Sequence, residues 1–379
     1  MKLLIISHTE HYDDNGLIKG WGPTVREIDY LSELFDEVVH IAPLHTAPAP
    51  GSTLAYQSKR VALHLVPPSG GPRLQDKVTI LTNIPRYVSA MVSELRRADV
   101  VHVRCPANIS LIALVVLTLA RRPRLRWIKY AGNWQPKERE ALSYTLQRWC
   151  LTAQLPRAIV TVNGQWPGQP AHVHSFVNPC LTDEELQEAE QLRGNGQKQL
   201  TAPARLLFVG QLNIPKGAGR AIEILAELQR RRIEATLDFV GDGEARPTLE
   251  AQAQELKVAS QVKFHGWLPR QSLGPRYAQA HLMVFPTDSS EGWPKVLSEG
   301  MAYGVVPLSG NVSSIPQFLE NFGVGRALDP YNIGAFVEAV SEYVTRPAMW
   351  KTESLKGMQV AAQFSYSNYL SAVRKLLAL

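Results

Sequence analysis

A chain of 379 residues exceeds what one hydrophobic core usually organises, which excludes a single small module and predicts two domains of ordinary size. At 45% hydrophobic and 20% charged residues, the composition excludes a disordered chain. Forty Lys and Arg against 34 Asp and Glu leave a net charge of +6, which favours anionic partners without naming one.

The run from Met1 to Ile6 turns polar at Ser7-His8-Thr9-Glu10, too short for a signal peptide, and reads as a buried first strand. Short β-branched runs then alternate with helical periods, the pattern of parallel sheets covered by helices on both faces. Strands are predicted at 3–7, 37–42, 61–66, 100–103, 125–130 and 159–162, with helices at 23–35, 76–97, 108–120 and 136–153. The most apolar stretch, 109–120, falls short of the ~20 residues that cross a bilayer and reads as a core helix. Cys105, Cys150 and Cys180 form no C-x-x-C pair, so neither a zinc site nor a disulfide framework is indicated, which fits a reducing cytoplasm.

The pattern breaks between Asn178 and Ala204, where a capped helix beginning Thr182-Asp183-Glu184-Glu185 precedes a polar stretch. A second series places strands at 205–209, 236–240, 261–265, 281–285 and 304–308, and helices follow from 333 to the end. The predicted architecture is two tandem Rossmann-like doubly wound α/β domains: 1–177, a linker at 178–204, a second domain at 205–345, and helices at 346–379 that return across the junction.

The strongest chemical signal is Ser290-Glu291-Gly292-Trp293-Pro294-Lys295-Val296-Leu297-Ser298-Glu299, directly after a strand. Pro294 suits the first turn of a helix, whose free amides then form an anion site, most commonly filled by a diphosphate. Glu299 can take both hydroxyls of a ribose and Glu291 those of a second sugar. Two isolated glutamates would more simply serve the helix dipole and solvent. The surroundings favour the first reading: Phe208-Val209-Gly210-Gln211-Leu212 leads to Lys216-Gly217, Val240-Gly241-Asp242-Gly243 makes a second turn, and Phe264-His265-Gly266-Trp267-Leu268 a third.

Taken in order over roughly 178–330, with Tyr277-Ala278-Gln279-Ala280 and Met301-Ala302-x-Gly304, these segments resemble glycosyltransferase family 4, retaining enzymes of GT-B architecture. The resemblance implies transfer of a hexose-type sugar from a nucleotide diphosphate sugar to an acceptor hydroxyl, with the anomeric configuration kept and no cofactor. By it, Lys216 would hold the diphosphate with Gly210, Gln211, Gly292, Trp293, Lys295, Val296 and Leu297. Glu299 would hold the ribose and Glu291 the donor sugar. Gly20-Trp21-Gly22-Pro23-Thr24 resembles the N-terminal glycine loop, which brings Gly22 to the donor phosphates, although the same residues suit an ordinary loop. Where the family commonly has arginine this chain has Gln211, and at a position often held by glycine it has Pro294. Where many members place a histidine it reads Lys129-Tyr130-Ala131-Gly132-Asn133-Trp134, leaving Tyr130 or His102 as catalytic candidates and Asn133 and Trp134 as acceptor contacts.

No Asp-x-Asp follows a strand, so metal independence is expected. No G-x-G-x-x-G follows the first strand and no P-loop occurs, which argues against a dinucleotide-dependent oxidoreductase or a P-loop NTPase. An epimerase or hydrolase of the same design, and a non-catalytic sugar-nucleotide or anionic-surface binding protein, stay open. The expected partners are a nucleotide sugar and a carbohydrate or lipid-linked glycan acceptor, in polysaccharide or glycoconjugate synthesis in the cytoplasm. Nucleic acid is not expected. Residues 100–137 contain no acid but hold Arg104, Arg121, Arg122, Arg124, Arg126, Lys129 and Lys137, either a solvated turn or a basic face toward anionic lipid at the inner membrane surface.

Overall fold

The computed structural model describes residues 1–70, 74–136, 140–192, 198–290 and 292–379, without the side chains of 74–78. These form two compact units, Met1–Phe176 with Leu370–Leu379, and Val177–Tyr369.

The first unit runs β1 (Lys2–Ile6), β2 (His11–Asp14), β3 (Leu17–Trp21), α1 (Gly22–Leu31), β4 (Glu37–His45), β5 (Thr53–Ala55), β6 (Val61–Val66) and α2 (Leu74–Leu95). It continues β7 (Val100–Cys105), α3 (Asn108–Leu119), β8 (Leu125–Tyr130), α4 (Leu142–Thr152), β9 (Ile159–Val162) and β10 (Val173–Ser175). Parallel pairing gives the order β10-β9-β8-β7-β1-β4-β6. The sequence missed β2, β3 and β5, which pair beside the end of β4, because polar segments such as His11–Asp14 carry no alternating apolar pattern.

Because side chains alternate across a strand, this sheet has two distinct faces. Leu4, Ile6, Val101, Val103 and Ile128 pack against Tyr87 and Met91 of α2, Leu114 and Leu117 of α3, and Leu151 of α4. Burying each such leucine contributes about 2 kcal/mol. The opposite face meets α1, where buried Glu27 accepts from Arg104 (2.7 Å) and Lys129 (2.7 Å).

The second unit runs α5 (Asp183–Leu192), β11 (Ala204–Val209), α6 (Ala218–Arg230), β12 (Ala235–Val240), α7 (Arg246–Glu255), β13 (Val262–Phe264), α8 (Gly274–Gln279) and β14 (Leu282–Phe285). It continues α9 (Lys295–Ala302), β15 (Val306–Gly310), α10 (Ile315–Phe322), β16 (Arg326–Leu328), α11 (Ile333–Thr345), α12 (Pro347–Ala361) and α13 (Tyr366–Leu377). All its pairings are parallel, in the order β13-β12-β11-β14-β15-β16. α5 opens with a reciprocal cap: Thr182 Oγ1 accepts the Glu185 amide (3.0 Å) and a Glu185 carboxylate oxygen accepts the Thr182 amide (2.9 Å). From Leu370 onward, α13 groups with the first unit.

Candidate functional site

In the second sheet, β11 lies between β12 and β14, so successive connections leave β11 and β14 toward opposite faces. Such a switch point opens a crevice at the carboxyl ends of the two strands, where open α/β sheets bind ligands. The loops β11–α6 and β14–α9 border it, and both carry residues singled out in the sequence.

The β11–α6 loop is held tightly. Asn213 Oδ1 accepts the Lys216 amide (3.0 Å), and Gly217 has φ +82° with its Cα so near β14 that a Cβ would lie 2.1 Å from the Pro286 carbonyl oxygen. Only glycine fits there. Gly241, at φ +133°, would place a Cβ 1.9 Å from the Gly210 carbonyl oxygen, so the β12–α7 turn lies directly on the β11–α6 turn. This close backbone packing is the reason for the glycines in both motifs.

Lys216 Nζ sits 5.7 Å from the centroid of the Phe285 ring at the end of β14. A second cation, missed in the sequence, lies one helical turn on: Arg220 donates from Nε to the Pro286 carbonyl (2.9 Å), approaches Asp288 at 3.4 Å and covers the Tyr331 ring. Gln211 is exposed, and its Oε1 accepts from Asn213 (3.2 Å).

At the other loop, α9 starts at Lys295 and not at Pro294, which occupies the cap with φ −67° and ψ 121°. The Pro294 carbonyl accepts the Leu297 amide (3.1 Å), while Lys295 and Val296 hold the first helical positions. The Trp293 side chain belongs to the core and does not face the crevice as a donor contact would. It is 3% exposed, donates from Nε1 to Ser298 (2.6 Å) and stacks on Phe364 at 5.6 Å. The Leu297 side chain is likewise buried, and the Gly292 carbonyl accepts from Ser314 (2.7 Å). This aromatic anchoring fixes where α9 begins. Glu291 lies outside the described residues.

Glu299 is only 6% exposed and both of its oxygens are engaged. Arg270 Nη1 donates to Oε1 (2.6 Å) and Tyr277 Oη to Oε2 (2.9 Å). Arg270 also forks onto Glu185 (2.5 and 3.0 Å) and donates to the Cys180 carbonyl. The expected ribose ligand is thus a member of an internal ion network. Nothing in the sequence flagged Arg270, whose partners lie 29 to 90 positions away.

Three first-unit candidates are corrected by burial. His102 lies within β7, stacked on Trp127 at 3.8 Å and fully enclosed, so it contacts no substrate. Tyr130 points into the α2–α3–α4 face, where Arg148 donates to its hydroxyl (2.9 Å) and burial pushes its pKa up to about 12. Trp134 packs edge-on against Tyr130 within the same core. Asn133 is half-buried and accepts the Gln135 amide (3.2 Å), a turn contact. Gly22 opens α1 and donates its amide to Ser52 (3.0 Å).

The switch-point loops and α9 fall inside a single family match. Residues 194–358 match the family Glycosyl transferases group 1. The group 1 segment contains Lys216, Arg220, Arg270 and Glu299, while every first-unit candidate lies outside it. A glycogen synthase of Mycobacterium tuberculosis is 29% identical over 148 residues, 39% of this chain and 36% of that protein. The matches span less than half the length of the curated relatives. Solved structures align along the whole chain. Sucrose-phosphate synthase from Thermosynechococcus elongatus has a TM-score of 0.71 at 17% identity, covering 99% of this chain and 98% of that one. Anabaena HepE in complex with UDP-glucose has a TM-score of 0.66 at 15% identity, covering 100% and 99%. The chain therefore has the GT-B fold expected from its sequence. Among the described residues, no three His, Cys, Asp or Glu side chains cluster to hold a metal ion, and no helix is long and apolar enough to cross a membrane.

Proposed function

We propose that this chain is a retaining, metal-independent glycosyltransferase that moves a hexose-type sugar from a nucleoside diphosphate donor to a hydroxyl of a carbohydrate or lipid-linked glycan. The setting we assign is cytoplasmic synthesis of a polysaccharide or glycoconjugate. One observation carries the reading: the group 1 match falls on the unit whose switch point brings the Lys216 loop and the start of α9 to adjacent strands.

In the proposed reaction, the bond from the anomeric carbon to the diphosphate breaks on the face where the acceptor oxygen arrives. The new carbon–oxygen bond forms on that same side, and the departing phosphate takes the acceptor proton. The Lys216 ammonium and the first-turn amides of α9 stabilise the departing charge. Glu291 would hold the donor sugar. Glu299 would serve the ribose through the acceptor positions that Arg270 and Tyr277 leave on its carboxylate, since each oxygen takes two hydrogen bonds.

Thermal shift against nucleoside diphosphates and their sugars tests the donor class, with UDP first because the HepE neighbour holds UDP-glucose. One base is expected to raise Tm, and its sugar nucleotide more so; no shift with any of them would overturn the proposal. Lys216→Ala is expected to lower kcat on the order of 100-fold, because a cation on developing phosphate charge contributes about 2–4 kcal/mol. Unchanged turnover would remove Lys216 from the reaction.

A further inference from the structure

Of the seven basic residues in the acid-free stretch 100–137, three are interior and Lys137 lies outside the described residues. Arg104 and Lys129 hold Glu27. Arg126 is buried and donates to four carbonyls: Leu117 (2.6 Å), Ala120 (2.7 Å), Pro123 (2.8 Å) and Pro156 (2.8 Å). That guanidinium ties the last turn of α3 and the following loop to the loop after α4. Arg121, Arg122 and Arg124 are thereby held on the surface, as is Arg157 on the neighbouring loop.

Beside them, α3 and α4 pack side by side over the first sheet and present an unusual outer face. Leu142, Leu146 and Trp149 recur at helical spacing on α4 and are exposed, by 86% and 59% for Leu142 and Trp149. Val115 and Leu119 do the same on α3, with Leu119 81% exposed. The other exposed positions of these helices are Thr118, Thr145 and Thr152, so no charge interrupts the face. The nearest described acid on α4's side, Glu140, pairs with Arg148. A solvated helix carries its charges outward, and here the outward positions are aliphatic, aromatic or threonine. Exposed apolar side chains gathered on two neighbouring helices mark an interaction site.

We propose that this α3–α4 face docks on an anionic lipid bilayer. Val115, Leu119, Leu142, Leu146 and Trp149 insert at the acyl boundary, and Arg121, Arg122 and Arg124 meet the headgroups. The occupant is argued from the combination. Tryptophan and leucine on an uncharged face beside a separate arginine edge match the layered chemistry of a membrane surface, apolar inside and anionic outside. The inference stands apart from the donor chemistry of the second unit.

The test is co-sedimentation of the full chain with phosphatidylcholine vesicles, with and without phosphatidylglycerol. Binding is expected only with phosphatidylglycerol, weakening as salt rises. Leu146→Glu with Trp149→Glu, both exposed and outside the core, is expected to reduce partitioning on the order of tenfold, and Arg121→Glu with Arg122→Glu comparably. Leu17→Glu, an exposed control on β3, is expected to change nothing. Thermal melts verify that each variant is folded. Absent or equal binding to both vesicle types overturns the proposal, as does retained binding by both double variants. A concentration-dependent dimer that Leu146→Glu with Trp149→Glu dissolves, without vesicle binding by the parent, would assign the face to a second copy and overturn it equally.

Discussion

Arg270→Ala is expected to destabilise the second unit by about 3 kcal/mol, far more than an ordinary surface substitution. The residue satisfies two carboxylates at once, and the Glu185 and Glu299 side chains are mostly shielded from water. Its removal leaves both acids near one another with little hydration and strips a donor from the Cys180 carbonyl. Urea unfolding of parent and variant measures this, and pairing Arg270→Met with Glu299→Gln should recover part of the loss. A deficit below about 1 kcal/mol would mean that solvent already screens the cluster.

Strand and helix order was legible because buried parallel strands and amphipathic helices write their periods locally. The choice of face was not. Lys129 and Tyr130 are neighbours at the end of β8, yet one faces Glu27 and the other the α2–α3–α4 core, so a single position decides between the two sides of the sheet. Tyr130, Trp134 and His102 were read as site residues because they lie in or just beyond strands that approach the expected site. Parity and packing turn them inward. The Trp293 ring turns inward for a related reason: it sits inside a binding motif, but it completes an aromatic cluster with Phe318 and Phe364, residues far along the chain. The glycine turns were readable because a left-handed φ or a backbone contact admits one residue type. The Arg270 network was not, since its members share no period and meet only after folding.

The buried histidines make the fold acid-labile in a direction that can be worked out. His281 is held down at about pH 4, first by burial and then by Lys198 and Arg205. His40 and His102 are fully enclosed and lie well below their ordinary value, burial being the largest cause for each. The geometry agrees. His40 is bonded at both nitrogens, to Ser7 (2.7 Å) and Tyr56 (2.8 Å), and Nδ1 of His102 reaches the Trp127 carbonyl. Nε2 of His102 is buried without a partner among the described residues, so a proton there would have no acceptor. The unfolded chain takes up these protons near pH 6.5 and the folded chain does not. Stability is therefore full above about pH 6.5 and is lost as pH falls from there, toward about 4 for His281. His281 contributes about 2 kcal/mol of loss between pH 7 and pH 5. Denaturant unfolding should show the second unit losing about that much over the interval, and His281→Asn should flatten its dependence. The first unit, with His40 and His102, should lose stability in the same direction. Equal unfolding free energies at the two pH values would mean that these histidines already carry their protons in the folded protein.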